Sequence, residues 1–332
     1  MLFRSLRTAP ELSIVIPVRN ESLNIDKLYR ELTDTLSSFG RPYEIIVVED
    51  GSTDGTFDIL AKLQARDPCL RIIRFRRNFG QTAAFGAGFA YARGRFIVTS
   101  DGDLQNDPRD IPGMVEQCER GPDIIAGWRR DRKDPFLSRR LPSMIANWVI
   151  SHTTGVKLHD YGCSLKVFRA EVVKPMRLYG EMHRFLPAIA SEMGVTIEEH
   201  VVNHRPRQHG RSNYGISRTI RVILDLLTVK FLISYSTRPL QIFGLVGGVM
   251  GTVGGAICAY LAFRRLTGVE AIGQRLPLLL FGILLVSTGV QLLTLGLLAE
   301  MQARTYHESQ NKPVYAIKEI RETVDERVPA AR

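Results

Sequence analysis

Along the first 130 residues, short apolar runs alternate with longer stretches whose apolar residues recur at helical spacing. The runs Leu12–Ile16, Glu44–Val48, Leu70–Arg74, Phe96–Ser100 and Asp123–Ala126 are rich in β-branched residues and bounded by turn formers, and they predict strands. Between them Asn24–Ser38, Thr56–Ala65, Gln81–Ala92 and Pro108–Arg120 predict helices. Strand and helix alternating in this way imply an α/β domain with a mostly parallel sheet covered on both faces, in which ligands bind at the carboxyl ends of the strands.

The pattern then changes. From Leu240 to Phe263 and again from Leu276 to Ala299 there are 24 consecutive positions without a charge, each run long enough to cross a bilayer core. A buried hairpin in a soluble protein would need a large domain around it, and too little sequence remains to build one. Gly247, Gly251 and Gly255 form a small-residue stripe that lets a second helix approach closely, within the hairpin or between copies of the chain. Just upstream, Ile216, Ile220, Ile223, Leu224, Leu227 and Phe231 share one helical face. That periodicity fits a core-facing helix and an interfacial one alike, and the adjoining span favours the interface. After Ala299 the chain turns polar, with a helix expected around Tyr315–Val324. The expected organisation is an α/β domain over 1–215, a juxtamembrane amphipathic region over 216–238, a two-helix hairpin over 239–300 and a polar tail over 301–332.

Composition alone chooses little: 332 residues, 45% hydrophobic, with a formal charge of +10, fit partners as different as nucleic acid, an anionic membrane surface and phosphorylated substrates. The placement of charge decides. Between Val201 and Leu240 seven basic residues stand against one acid, Asp225, forming a collar directly before the first apolar run. Arg264, Arg265 and Arg275 in the connecting loop weaken the positive-inside bias, but the flanks from Arg218 to Arg238 with Arg304 and Lys312 outweigh them, so both termini are expected in the cytoplasm of an inner-membrane, multi-pass protein. Basic stretches interleaved with aromatics are lacking, which argues against nucleic acid. The four cysteines have no metal-ligand spacing and read as reduced thiols, with no zinc site. Leu12 to Val18 contains Pro17 and leads into Arg19-Asn20-Glu21, a first strand rather than a signal peptide.

Candidate chemistry sits after the strands. A single Asp-Gly pair is commonly just a turn. Here Glu49-Asp50-Gly51-Ser52 and Asp101-Gly102-Asp103-Leu104-Gln105 each follow a buried strand, which brings both loops to one rim of the sheet. Asp101 and Asp103, one residue apart, suit a hard cation, Mg²⁺ or Mn²⁺, that also holds phosphate oxygens, with Gln105 as a third candidate ligand. Such an ion stabilises charge on a departing diphosphate.

Taken in order, Pro17-Val18-Arg19-Asn20-Glu21, Glu49-Asp50-Gly51-Ser52-Thr53-Asp54 and Asp101-Gly102-Asp103-Leu104-Gln105-Asn106-Asp107-Pro108 resemble the family 2 inverting glycosyltransferases. Within that family, over roughly residues 10–300, the chain is similar to the polyprenyl-phosphate glycosyltransferases. The resemblance implies a GT-A fold and a metal-dependent transfer from a nucleotide-sugar to a polyprenyl phosphate. It also implies nucleoside contacts from Pro17, Asn20, Glu21 and Asp50, and a metal–diphosphate site at Asp101 and Asp103. Arg77-Asn78-Phe79-Gly80-Gln81 would line the donor side, and a plain turn before a helix explains that stretch as well. His159-Asp160-Tyr161-Gly162-Cys163 resembles the acceptor-side loop, which puts Asp160 near the attacking phosphate, and Arg129 would meet phosphate. Glu181-Met182-His183-Arg184-Phe185 matches the bacterial members in type. Arg207-Gln208-His209-Gly210-Arg211-Ser212-Asn213 resembles the loop that closes over both phosphates through Arg207, Arg211 and Ser212. Asn213 stands where many members have Lys.

The implied reaction is attack of a phosphate oxygen on the anomeric carbon with inversion. A phosphate monoester with a second pKa near ~6 is already ionised at neutral pH, so a strong base is not required. Family resemblance and the glycine stripe favour a homo-oligomer, with a tetramer expected. Two other readings compete. A processive polysaccharide synthase would carry Gln-x-x-Arg-Trp and more spans, and neither Trp128 nor Trp148 stands in that pattern. A non-catalytic, membrane-tethered nucleotide-binding protein would have no need of the acidic pair. The sequence leaves open whether the donor is a UDP- or GDP-sugar and which sugar moves.

Overall fold

The computed structural model describes residues 9–130, 151, 155–176, 178, 182–191, 193–206, 239–267, 275–309 and 315–323. It divides the chain into two compact units, Met1–Leu226 with Pro313–Arg332, and Leu227–Lys312.

The larger unit is built on an eight-stranded sheet: β1 (Leu12–Val18), β2 (Tyr43–Glu49), β3 (Leu70–Phe75), β4 (Phe96–Thr99), β5 (Ile124–Trp128), β6 (Lys166–Arg169), β7 (Ile197–Val201) and β8 (Ile317–Arg321). Their order across the sheet is β7-β5-β6-β4-β1-β2-β3-β8. β1 pairs in parallel with β2 and β4, and β2 with β3, so these four strands end at one rim. β6 runs antiparallel to both β4 and β5, and β8 antiparallel to β3.

Helices α1 (Ile25–Phe39), α2 (Thr56–Gln64) and α4 (Ile111–Glu119) cover one face and α3 (Gln81–Tyr91) the other. The period-2 alternation of β1 explains this arrangement. Leu12, Ile14 and Ile16 pack with Leu28, Leu32 and Leu36 of α1, whereas Val15 points to α3. There Gly88 permits contact, because a Cβ on it would lie 2.1 Å from Val15 Cγ1. α1 ends where Gly40, at φ +73°, donates its N–H to the Leu36 carbonyl, a left-handed C-cap. Two shorter helices follow, α5 (Ala170–Val173) and α6 (Leu186–Ser191).

The first five strands and four helices lie where the hydrophobic pattern predicts them, within two residues at each end, except that Pro108–Asp110 forms a separate 3₁₀ turn before α4. The segment Tyr315–Val324 differs from expectation: its core is strand β8, not a helix. Its Lys, Glu and Arg residues are good helix formers, but β3 offers an unpaired ladder and three basic side chains nearby, and tertiary pairing overrides local propensity.

The smaller unit is a helical hairpin, α7 (Pro239–Leu266) and α8 (Leu276–Ser309). Both helices are long and apolar enough to cross a membrane, with mean hydropathy 1.7 over Phe243–Leu266 and 2.2 over Leu276–Leu298. Leu245, Val253, Phe263, Leu284 and Leu298 on these helices are exposed. The helices meet through glycines. A Cβ on Gly247 would lie 2.6 Å from the Gly289 carbonyl, and one on Gly254 equally close to that of Gly282. The hairpin seam therefore uses Gly247 and Gly254, whereas a Cβ on Gly255 would meet nothing within 4 Å. The amphipathic stretch from Ile216 to Phe231 lies outside the described residues.

Candidate active site

The parallel strands deliver the acidic loops to one rim. Asp50 follows β2 and is buried, yet its carboxylate accepts N–H bonds from Phe79 at 2.6 Å and Gly80 at 2.9 Å, which fastens residues 77–80 against the end of β2. Burial pushes the Asp50 carboxyl up, against the two N–H donors and nearby Arg19. Gly51, at φ +69°, is required here: a Cβ would lie 2.6 Å from the backbone nitrogen of Asn78. Next to it, Asn20 sits in the left-handed region at φ 56° and accepts from the Thr53 N–H at 2.8 Å, while its own N–H donates to Ser52 Oγ at 3.0 Å. The Glu21 N–H donates to Thr56 Oγ1 at 3.0 Å, and its carboxylate accepts from Asn24 Nδ2. Burial acts to raise the Asp54 carboxyl, but hydrogen bonds from Thr56 and Ser22 prevail and hold it at about 2. The loop after β1 and the loop after β2 thus form one stitched wall.

Asp101 and Asp103 follow β4 beside that wall. A Cβ on Gly102 between them would lie 2.9 Å from Val18 Cγ1 and 3.7 Å from the Glu21 side chain, so the two loops are in contact. Gln81 Nε2, at the start of α3, donates to Asp101 Oδ1 at 2.7 Å. Asp103 is buried and accepts the Gln105 N–H at 3.2 Å, across Leu104, a buried residue held at φ 64°. A non-glycine residue in that region costs about 1–3 kcal/mol and persists where its surroundings fix it. Burial, then the charge of Asp103, pushes the Asp101 carboxyl up, against a bond from Ser164 and the charges of Arg129 and Lys166. Two carboxylates one residue apart, the charge of Asp103 acting on Asp101, fit a divalent cation. Among the described residues no group of three or more His, Cys, Asp or Glu side chains could hold one alone. Mg²⁺ is commonly held by one or two carboxylates together with waters and substrate phosphates, and this pair fits that use.

Arg129, directly after β5, grips Asp160 with both arms of its guanidinium, Nε to Oδ2 at 2.7 Å and Nη2 to Oδ1 at 2.9 Å. The Gly162 N–H adds a bond to Oδ1 at 3.1 Å. Burial works against the Arg129 charge, but Asp160 outweighs it and raises the guanidinium above its ordinary range. Lys166 is buried behind them, its ammonium donating to the Cys163 carbonyl, and burial pushes it down.

The His159-Asp160 turn is itself held by Glu199 of β7. Glu199 accepts the His159 N–H at 2.8 Å and the Asp160 N–H at 3.3 Å through one oxygen, and pairs with His159 Nδ1 at 2.6 Å through the other. The His159 ring also stacks on Trp128, centroids 4.2 Å apart. Sequence inspection did not single out Glu199, which sits in a polar five-residue strand whose partners are 40 positions away.

The structure thus brings Pro17, Asn20, Glu21, Asp50, Asp101, Asp103 and Gln105 to the carboxyl rim, with Arg129 directly after β5, which β6 separates from β4, and Asp160 in the turn that Arg129 grips. Arg207, Arg211 and Ser212 lie outside the described residues. The chain before them is fixed: the Arg205 N–H donates to the Gln105 carbonyl at 2.9 Å and its side chain pairs with Asp107 at 2.7 Å. In the bacterial-type stretch, His183 Nδ1 bonds Thr82 Oγ1 of α3 at 2.8 Å.

A mostly parallel sheet carrying an Asp-x-Asp loop at its carboxyl rim is the GT-A class of nucleotide-sugar transferase. Residues 13–176 match the model of glycosyl transferase family 2. The chain is 47% identical over 314 residues, 93% of each protein, to the dodecaprenyl-phosphate galacturonate synthase of Rhizobium johnstonii. It is 36% identical over 320 residues, 96% of this chain and 93% of the relative, to the undecaprenyl-phosphate 4-deoxy-4-formamido-L-arabinose transferase of Pseudomonas paraeruginosa. The glucosyl-3-phosphoglycerate synthase of Mycobacterium tuberculosis, solved with Mn²⁺, UDP and phosphoglyceric acid, shares the fold at TM-score 0.53 and 17% identity, over 67% of this chain and 78% of that one. The protein belongs to glycosyltransferase family 2.

Proposed function

We propose that the protein transfers a sugar from a nucleotide-sugar to a membrane polyprenyl phosphate, giving the polyprenyl-phosphate sugar with inverted configuration. The observation that carries this reading is the Asp101–Asp103 pair, tied through Gln81 to the start of α3 next to the Asp50-anchored loop and lying within the electrostatic reach of Arg129, which grips Asp160. The polyprenyl-phosphate relatives, aligned along nearly the whole chain, support the choice of acceptor.

Pro17, Asn20, Glu21 and Asp50 are the donor-side residues, and Asp101 and Asp103, with Gln105 as the further candidate, would hold Mg²⁺ or Mn²⁺. Such an ion neutralises charge developing on the leaving diphosphate. Arg129, with Arg207, Arg211 and Ser212, binds phosphate, since a planar guanidinium donates two hydrogen bonds at once. The Asp160 carboxylate is already engaged by Arg129 and Gly162, so its part is to orient Arg129 rather than to remove a proton. Catalysis by positioning and charge neutralisation suits an acceptor that arrives ionised.

The sugar we favour as the first donor to test is a uronic acid, after the relative that shares 47% identity. The strand β8, which follows the two spans, shares a sheet with strands that precede them. The two crossings must then return the chain to the side it left, in support of a cytoplasmic catalytic domain with both flanks of the hairpin inside. Assembly as a homo-oligomer, a tetramer, completes the proposal.

The acceptor assignment is tested with Arg207→Ala. The expected result is a rise of about tenfold in the KM for lipid phosphate with the donor KM unchanged. An unchanged lipid KM would contradict the role given to Arg207.

A further inference from the structure

The tail beyond the hairpin does more than close a sheet edge. β8 pairs with β3 from Ile72↔Arg321 to Phe75↔Ile317, and the ladder continues as the Arg76 N–H donates to the Ala316 carbonyl at 3.0 Å. Tyr315 stacks on Phe75, centroids 5.2 Å apart and planes 16° from parallel. Phe75 in turn meets Phe79 edge-on at 5.6 Å. The backbone N–H of Phe79 is one of the two that Asp50 holds. A second connection runs through Arg74, which pairs with Glu319 of β8 at 3.0 Å and with the buried Glu49 at 3.3 Å, beside Asp50.

We propose that β8 and Tyr315 are a positioning element of the donor site, so that affinity for the nucleotide-sugar depends on a segment that follows both membrane spans. The inference rests on the reading of Asp50 and the 77–80 loop as the donor side. Two independent contacts lead there, an aromatic one to Phe79, which Asp50 holds, and an ionic one to Glu49, the last residue of β2, and a strand serving only to cap an edge would need neither.

The test uses the full-length protein in nanodiscs and measures donor KM, acceptor KM and kcat for Tyr315→Ala, Tyr315→Phe and Asp50→Asn. Tyr315→Ala is expected to raise the donor KM about 3- to 10-fold, as loss of an aromatic pair should, with the acceptor KM unchanged. Tyr315→Phe, which keeps the ring, is expected to match the parent. A Tyr315→Ala protein with lower kcat but an unchanged donor KM has merely lost folded material, and the proposal is overturned. If Asp50→Asn raises the donor KM and Tyr315→Ala does not, the donor reading stands and the role of the tail falls. If neither moves it, both fall together. Should Tyr315→Ala not fold, Glu319→Gln decides by the same KM ratio, with a rise of about twofold or more expected and an unchanged donor KM counting against the proposal.

Discussion

At the scale of residues, a few carboxylates make up the candidate site, and each has its own set of partners. Asp50, Asp101 and Asp103 were legible in the sequence because each follows a buried strand, and the parallel sheet turns that position into a shared rim. Asp103→Asn is expected to lower turnover by at least about a hundredfold while the protein folds and inserts as before, measured as transfer per mole of folded enzyme; normal activity with ordinary metal dependence would remove the site. Glu199 was not legible, since only the fold brings it to His159 and Asp160. Its replacement by Ala leaves two backbone N–H groups without their acceptor and frees the turn that presents Asp160 to Arg129. Glu199→Ala should cost about tenfold in kcat/KM. Glu199→Gln keeps an acceptor oxygen and should recover most of the loss, and equal damage from both variants would show that charge rather than positioning matters.

At the scale of elements, hydrophobic period gave the alternating half of the sheet and both apolar helices. It could not give β6 and β7, whose short runs are broken by Lys166 and Arg169 and by Glu198, Glu199 and His200, nor β8, whose conformation is decided by the edge it joins. Of the glycine stripe, Gly247 and Gly251 both lie against Gly289 in the hairpin seam, and Gly255 stands clear of it. Spacing by four selects one helix face, whereas the observed seam follows Gly247 and Gly254 against Gly289 and Gly282, seven apart on each helix. Gly289→Leu is accordingly expected to separate α7 from α8 and lower the thermal midpoint in detergent by several degrees, about 1–3 kcal/mol of overpacking. Gly255→Leu, placed where no neighbour stands, should leave the midpoint near that of the parent. Equal losses from the two would mean that Gly255 packs against something beyond the single chain.

For the whole molecule, the proposed reaction brings a soluble donor to a lipid acceptor through one chain that carries both a GT-A rim and two helices long and apolar enough to cross a membrane. A C-terminal epitope tag should be reached by antibody in inverted inner-membrane vesicles and protected in right-side-out ones; the opposite pattern would break the proposed topology. The central claim is tested most directly by incubating the purified, full-length protein with undecaprenyl phosphate and radiolabelled UDP- and GDP-sugars, uronic acids among them, with and without Mg²⁺ or Mn²⁺. The expected result is label in the lipid phase from one donor, dependent on the cation and lost in Asp103→Asn. A folded protein that binds nucleotide yet labels no lipid from any donor would contradict it.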